Sequence, residues 1–294
     1  MNGSSSARYA APLLIVGCVI FGLGSLIVKF VPLGAYAIAF WRLAVSAVVF
    51  WLLSRYFGQK LPKSRKGLNA ALLSGGFLAF DLALWHESIH AVGPGIATLL
   101  NSLQIFFLSA VGVLFFRERL SGVQMLSLMM AVAGVALIAS PEFGHNGEAL
   151  WGFVSGLVSG MMLALSMVFL RQAQQTDQTP LFPLMMVVSA AGALILVPFA
   201  IGLDAGALYP ETWRDIGLVL VYGVVMQCFA WGLIAYALPL LSLSLTGLLL
   251  LSEPVAALFI DYFLLDKPIN GLQWSGAALT LLAIYLGSLK GKTH

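Results

Sequence analysis

The stretch DLALWHESIHAVGPGIATLLNSLQIFFLSAVGVLFFRER, residues 81–119, decides the fold, because it places polar side chains inside two long apolar segments. The two segments meet at a short hinge, AVGPG, at residues 91–95. Polar residues lie on both sides of it: Asp81, His86, Glu87 and Ser88 before the hinge, and Asn101, Ser102 and Gln104 after it. Polar groups at depth in such segments are costly, and they usually face a bundle interior or a water-filled path.

The composition of the whole chain points the same way. Only 9% of its 294 residues are charged, 60% are hydrophobic, and the mean hydropathy is +0.97. Soluble domains carry about 25% charged residues, so most side chains here must face lipid or other helices. A membrane β-barrel would alternate apolar and polar residues, and runs such as GLVLVYGVV at 217–225 do not alternate. The composition therefore predicts an all-α, polytopic membrane protein.

The number of spans follows from the length of the apolar segments. A hydrocarbon core about 30 Å thick takes about 20 apolar residues to cross. The sequence predicts ten transmembrane helices, at 10–30, 35–56, 68–89, 94–116, 122–140, 149–170, 181–202, 215–237, 243–264 and 271–289. Cys18 and Cys228 lie inside spans, and we expect small core residues there rather than a disulfide or a metal site.

The Lys and Arg residues are distributed unevenly between the two sets of loops. With the N-terminus inside, the inner loops and tails carry eleven of them, whereas the outer loops carry three, Lys29, Arg214 and Lys267. Because cytoplasmic loops are enriched in Lys and Arg, we predict that both termini are cytoplasmic. The net charge of +3 thus reflects topology, and we expect no nucleic-acid partner.

The two halves of the chain show a weak internal repeat at an offset of 149 residues. At this offset RERLSGVQ (117–124) faces DKPINGLQ (266–273), and Gln104 faces Glu253. Five spans per repeat is an odd number, so the second repeat must be inverted relative to the first, with a substrate site near the midplane between them. The predicted repeats are residues 1–143 and 144–294.

Candidate substrate-binding residues in the first repeat lie in the third and fourth spans. Asp81 and Trp85 are one turn apart on one helical face, and an acid at mid-depth costs about 2.5 kcal/mol or more, which favours a function. His86 lies on another face of the same helix. For Asn101 and Gln104, binding of a metabolite and bonding between helices are equally open.

Candidates in the second repeat lie in the eighth and ninth spans. Gln227 and Trp231 share a helical face, where a pocket wall and an ordinary core aromatic are equally open. Glu253 precedes Pro254, which lacks an N–H and frees a helix carbonyl. Transporters place substrate groups and coupling ions at broken helices, although a protonated Glu253 that serves packing alone is the alternative. Gly22 and Pro254 are the predicted hinge positions.

Small residues recur regularly in one span, and common catalytic motifs are absent from the sequence. Gly152, Gly156 and Gly160 are spaced by four residues in the sixth span, which predicts close helix packing. The sequence contains no HExxH, G-x-S-x-G, paired-aspartate or Walker motif, and its four histidines lack ligand-like partners. We therefore expect no catalytic residues, no metal and no cofactor. An intramembrane enzyme is the less favoured alternative, and a sensor or scaffold would leave the mid-depth polar groups without a pathway.

Several short motifs together resemble a known family. They are FWR at 40–42, FRERL at 116–120 with Gly122 and Ala133-Gly134 after it, and SEP at 252–254. In this order and spacing they resemble the drug/metabolite transporter superfamily, of the EamA type, over nearly the whole chain. The resemblance implies ten helices in two inverted five-helix repeats around a central cavity. Within the family it is closest to an exporter of aromatic and other neutral amino acids, which implies a bacterial inner-membrane location.

Two positions depart from the pattern of that family. Lys267 stands where the second repeat commonly has Glu, and Gln104-Ile105 stands where Pro is often found. These departures weaken the expectation that the two halves move as mirror copies, and they leave the fold unaffected.

The residues by themselves predict a polytopic transporter with inverted repeats, and the resemblance implies a secondary transporter that exports amino acids and related metabolites by alternating access. Export of drugs or other small metabolites is the alternative. The expected partners are small-molecule amino-acid substrates and the lipid bilayer, and no pattern in the sequence sets an oligomeric state or a coupling ion.

Overall fold

The structure is a computed structural model that describes residues 3–139, 149–177, 179–264 and 269–289. Helices and short connections make up the described part of the chain, which contains no β-strand. The helices are α1 Gly3–Gly22, α2 Gly24–Phe30, α3 Ala35–Tyr56, α4 Arg65–Ser102, α5 Gln104–Phe116, α6 Gly122–Ala139, α7 Ala149–Asp177, α8 Leu181–Leu203, α9 Trp213–Val221, α10 Trp231–Ala237, α11 Leu243–Leu250, α12 Ser252–Leu264 and α13 Gly271–Leu289. A π-helical segment, Tyr222–Ala230, joins α9 to α10.

These elements form the ten transmembrane helices of the predicted fold. Five described helices are long and apolar enough to cross a membrane, and five shorter apolar helices of 10–17 residues account for the others. The first span consists of α1 and α2, the eighth of α9, the π-helical segment and α10, and the ninth of α11 and α12. The predicted boundary between the repeats, at 143/144, lies outside the described residues.

Apolar side chains cover the outside of this bundle, and polar ones lie within it. Leu114, Phe115 and Leu150 are 74–79% exposed, whereas Arg42 and Gln227 are 1% and 0% exposed. A soluble protein rarely leaves such large apolar patches open to water. The distribution is that of a protein whose outer solvent is lipid.

The third and fourth spans are connected without a break in the helical backbone. The sequence predicts an irregular hinge at 91–95, but α4 is helical from Arg65 to Ser102. The direction of the chain nevertheless reverses within α4. The evidence is the hydrogen bond from Asn101 Nδ2 to Asp81 Oδ1, at 2.9 Å. In a straight helix, 20 residues would separate these positions by about 30 Å. The turn therefore folds the fourth span back against the third and brings their polar residues together.

Three spans are interrupted by single residues at which the helix restarts. Leu23 separates α1 from α2, Leu103 separates α4 from α5, and Leu251 separates α11 from α12. The last two positions are 148 residues apart, within one residue of the internal repeat. Pro254 lies in the first turn of α12, where a helix needs no N–H from it. Gly22 ends α1, directly before the first interruption.

The packing of the spans follows a two-fold pattern. The second span packs on the seventh, the fourth on the ninth and the fifth on the tenth. The first packs on the eighth and the third on the sixth. If each of spans 1–5 is exchanged with its counterpart in spans 6–10, the pair 1·8 becomes the pair 6·3. The other three pairs are unchanged by the exchange, as an isologous two-fold arrangement requires. The two repeats therefore face each other about a pseudo-two-fold axis.

The glycine ladder of α7 lets this helix approach α4 closely. A Cβ atom added at Gly156 would lie 2.7 Å from Ser88 Oγ and 2.9 Å from Leu100 Cβ. At Gly160 it would lie 2.7 Å from the backbone oxygen of Asn101. Backbone atoms cannot move aside cheaply, so the predicted role of the ladder in packing is confirmed.

We expect Gly160→Ala to lower the thermal stability of the purified protein, because the new methyl group would collide with the carbonyl of Asn101. Overpacking of this kind costs about 1–3 kcal/mol. Gly217→Ala is the matched control, since nothing lies within 4 Å of the Cβ it adds, and there the change should be neutral or stabilising by up to about 1 kcal/mol. Equal melting temperatures for the two variants would contradict the packing argument.

Candidate functional site

A small enclosed cavity lies in the middle of the bundle, where the interrupted spans meet. Its volume of about 20 Å³ is enough for one water molecule and too small for a larger ligand in this conformation. Six of the eight predicted binding residues line it, together with Phe21 and several aliphatic side chains. The lining residues are Phe21, Leu78, Asp81, Leu82, Trp85, Asn101, Gln104, Leu163, Trp231, Ile234, Leu250 and Glu253. They come from both repeats, as a central substrate site requires.

The acids of this cavity are held in different ways. Asp81 is 3% exposed and accepts one hydrogen bond from Asn101 Nδ2, which is also 3.0 Å from Ser159 Oγ. Glu253 lies in the first turn of α12, directly after the break at Leu251, where the helix dipole favours a negative charge. No described side chain donates a hydrogen bond to Glu253, so its carboxylate is open to a ligand in the cavity.

Gln104 occupies the corresponding place in the first repeat. It is the first residue of α5, directly after the break at Leu103. Its Oε1 atom is buried and has no hydrogen-bond partner. The internal repeat, which aligns Gln104 with Glu253, thus places an acceptor from each half on the same cavity. The geometry suits the ammonium group of a ligand, which can donate to several oxygens.

Two tryptophans give the cavity aromatic walls. Trp85 and Trp231 are 4% and 3% exposed, and the ring of Trp231 lies 5.8 Å from that of Phe21. The indole Nε1 of Trp231 has no partner. Flat aromatic surfaces of this size bind apolar and aromatic groups well.

The other two predicted residues, His86 and Gln227, join a buried cluster beyond Phe21. Arg42 Nε donates to Gln227 Oε1 at 2.7 Å, and Arg42 Nη1 donates to Tyr222 Oη at 2.8 Å. His86 contacts the Ala35 carbonyl oxygen through Nδ1 at 3.0 Å and Tyr222 Oη through Nε2 at 2.9 Å. Both ring nitrogens of His86 are thus occupied by these contacts. His86 orients the Tyr222 hydroxyl and does not line the cavity.

Two members of this cluster are absent from the predicted set of binding residues. Arg42 enters the sequence interpretation only as part of the FWR motif in the second span, and Tyr222 carries no signal of its own. An intramembrane charge is by itself a reason to suspect a function, so Arg42 could have been included. Tyr222 could not, because a tyrosine in an apolar helix is commonly a core residue.

A larger cleft, about 780 Å³ in volume, opens at one end of the bundle. Glu118 lies in its wall and caps the N-terminus of α11: Oε1 accepts from Leu243 N at 2.8 Å, and Oε2 accepts from Ser244 Oγ at 2.9 Å. Arg171, six residues before the end of α7, pairs with Glu118 at 3.5 Å. Arg117 adopts a left-handed conformation, with φ of 55°, at the end of α5. One carboxylate thus joins the two repeats at this end.

Substitution of Glu118 should lower the stability of the protein, and more so when the new side chain offers fewer hydrogen-bond acceptors. Glu118→Gln keeps one side-chain oxygen for the α11 N-terminus and loses the ion pair, whereas Glu118→Leu keeps neither. Loss of a helix cap costs about 0.5–2 kcal/mol. We expect melting temperatures in detergent to fall in the order wild type, Glu118→Gln, Glu118→Leu. A Glu118→Leu protein as stable as the wild type would show that the cap contributes nothing.

Comparison with known protein families gives two matches to one family. The sequence model of the EamA-like transporter family matches residues 8–140 and again residues 150–289. A solved structure titled "Crystal structure of protein" superimposes with a TM-score of 0.78 over 98% of both chains. That protein is 15% identical in sequence, so the likeness shows the fold alone.

Two curated relatives share about a quarter of their aligned residues with this chain. The chain is 26% identical to a probable amino-acid metabolite efflux pump of Escherichia coli (strain K12). The alignment is 200 residues long and covers 65% of this chain. It is 24% identical over 236 residues to an uncharacterized transporter of Synechocystis sp., which covers 72% of this chain. The alignments span 66% of each relative, slightly less than two thirds of its length.

Proposed function

The chain belongs to the EamA-like transporter family, and we propose that it exports amino acids, among them aromatic and other neutral ones, by alternating access through the central cavity. It is a multi-pass membrane transporter and not an enzyme. The name of one relative, a probable amino-acid metabolite efflux pump, supports this substrate class.

The observation that carries the proposal is the chemistry of the cavity wall. Asp81, Glu253 and Gln104 present oxygens to one space, and Trp85 and Trp231 present aromatic faces to it. An amino acid offers a matching set of groups, since its ammonium can donate to the oxygens while its side chain lies against the rings. Polar groups placed this deep in the membrane usually mark a substrate path.

The closed state of the cavity fits one step of an alternating-access cycle. The cavity has room for about one water molecule, so the helices must move apart before a substrate can enter. The interruptions at Leu23, Leu103 and Leu251 border this site. Helix segments that meet at such breaks can tilt independently, so the cavity can widen toward either side. Gly22 and Pro254, next to two of the breaks, remain our candidates for the hinge positions.

A second candidate substrate is an organic cation such as an amine drug. Two acids and no basic side chain line the cavity among the described residues, which suits a positive charge. The amino-acid proposal and this one differ in whether the substrate also carries a carboxylate.

Glu253→Gln tests the role of the cavity carboxylate. The substitution keeps the shape of the side chain and removes the charge that would attract an ammonium group. We expect the protein to fold, and its amino-acid counterflow in proteoliposomes to fall at least about 10-fold, or to lose its dependence on pH. Glu211→Gln, the same change at an exposed position, should leave counterflow unchanged. Wild-type rates and a wild-type pH profile in Glu253→Gln would leave only a packing role.

The proposed orientation places both termini, and the cleft with Glu118 and Arg171, on the cytoplasmic side of the bacterial inner membrane. The bias of Lys and Arg toward the loops of that side supports it. A reporter that is active only in the cytoplasm should work when fused after His294, and a periplasm-active reporter should work at Gly144. The reverse result at both positions would overturn the charge argument.

A further inference from the structure

We propose that Arg42 binds the carboxylate of the transported amino acid, in a site closed off from the central cavity by Phe21. This inference rests on the proposed function and assigns a role to a residue outside the predicted set. Its starting point is a charge without a counter-ion: Arg42 is 1% exposed, and no described carboxylate forms an ion pair with it. A buried charge is strongly unfavourable unless it is paired, and within a membrane such a group is a candidate for ligand binding.

The guanidinium is held in place by neutral groups. Its Cζ atom lies over the rings of Phe21 and Tyr222, 4.6 Å and 4.5 Å from their centroids. Because the Ala35 carbonyl can only accept, His86 Nδ1 carries the proton, and in the neutral imidazole Nε2 accepts from the Tyr222 hydroxyl. The Tyr222 oxygen is thereby turned toward Arg42 Nη1. This chain fixes the orientation of Arg42 without neutralising it.

Three buried donors around Phe21 lack partners in the described structure. They are Arg42 Nη2, Gln227 Nε2 and Trp231 Nε1, and their residues are at least 97% buried. Nη2 lies on the same edge of the guanidinium as Nε, which bonds Gln227 Oε1, so the free amide nitrogen of Gln227 lies beside it. Unmade hydrogen bonds of buried groups are costly. A carboxylate can accept about four hydrogen bonds, and it pairs with a guanidinium in a bidentate manner.

Phe21 lies between Arg42 and the cavity, which Trp231 lines directly, and can connect the two. Its ring contacts Arg42 on one side and Trp231 on the other, and it lines the cavity itself. It directly precedes Gly22 and the interruption of the first span at Leu23. A small rotation of the α1 end would withdraw the ring and open Arg42 to a bound substrate. The ammonium of the same molecule would then face Glu253 and Asp81, the two acids that line the cavity.

The wild-type protein allows a test by substrate chemistry alone. Phenethylamine keeps the ring and the ammonium of L-phenylalanine and lacks the carboxylate. We expect it to compete with amino-acid counterflow, and to bind the purified protein, at least about 10-fold more weakly than L-phenylalanine, since charged hydrogen bonds go unmade. Equal affinity for the two probes would overturn the proposal for Arg42 and leave amino-acid export standing. Failure of the wild type to transport any of the twenty amino acids would overturn both.

Gln227→Glu tests the site with little change in shape. The new carboxylate would pair with Arg42 permanently and replace a free donor by an acceptor. We expect L-phenylalanine to bind at least about 10-fold more weakly, measured by tryptophan fluorescence or by thermal shift, and phenethylamine to change by less than about threefold. Arg42→Gln should show the same selective loss. Arg55→Gln, at the exposed end of the same helix, is the control and should bind both probes normally.

The outcomes of the variants separate a binding role from a structural one. Unchanged affinity for L-phenylalanine in Gln227→Glu would overturn the proposal, as would equal losses for both probes, which would indicate packing. If Arg42→Gln fails to fold, Gln227→Glu and the wild-type comparison still decide the question, because neither removes the buried guanidinium.

Discussion

Water does not reach polar groups in the hydrocarbon core of a membrane, so each of them must find its partner inside the protein. The described structure follows this constraint by gathering its deep polar side chains into one interior region. Asp81 takes its hydrogen bond from Asn101, and Tyr222 links His86 to Arg42. Four of the ten buried side-chain atoms that lack a hydrogen-bond partner in the described structure belong to Arg42, Gln104, Gln227 and Trp231, which line this cavity or lie in the cluster next to it. Under the proposed function, a ligand would complete the hydrogen bonding of these four atoms.

The pseudo-two-fold arrangement explains why the cavity is central and why its walls come from both halves. Interruptions at Leu103 and Leu251 occur at corresponding points of the repeats, and each begins a helix whose first turn faces the cavity. The residues there differ in charge, Gln104 in one half and Glu253 in the other. Duplication thus provides the architecture, while divergence gives the two corresponding positions different charges.

Divergence also makes the two ends of the molecule unequal. At one end Glu118 accepts backbone hydrogen bonds from the start of α11 and pairs with Arg171. The internal repeat aligns Glu118 with Lys267, which lies outside the described residues. A lysine has only donors and cannot accept from backbone N–H groups as a carboxylate does. The two corresponding positions therefore differ in their hydrogen-bonding chemistry, which is the departure from the family pattern that the sequence contains.

The sequence by itself determined the class of protein and the ten spans, because a helix that crosses the hydrocarbon core needs a long apolar segment. It also determined the inverted repeat, because an odd number of spans per repeat turns the second repeat over. It also identified six residues that line one cavity, since intramembrane polar groups are few. Tertiary structure alone decided how they meet. The reversal within α4, which sets Asn101 against Asp81, and the link from His86 through Tyr222 to Arg42 join residues distant in sequence. Periodicity gives the face of a helix that a residue occupies, but it does not give the neighbour across from it.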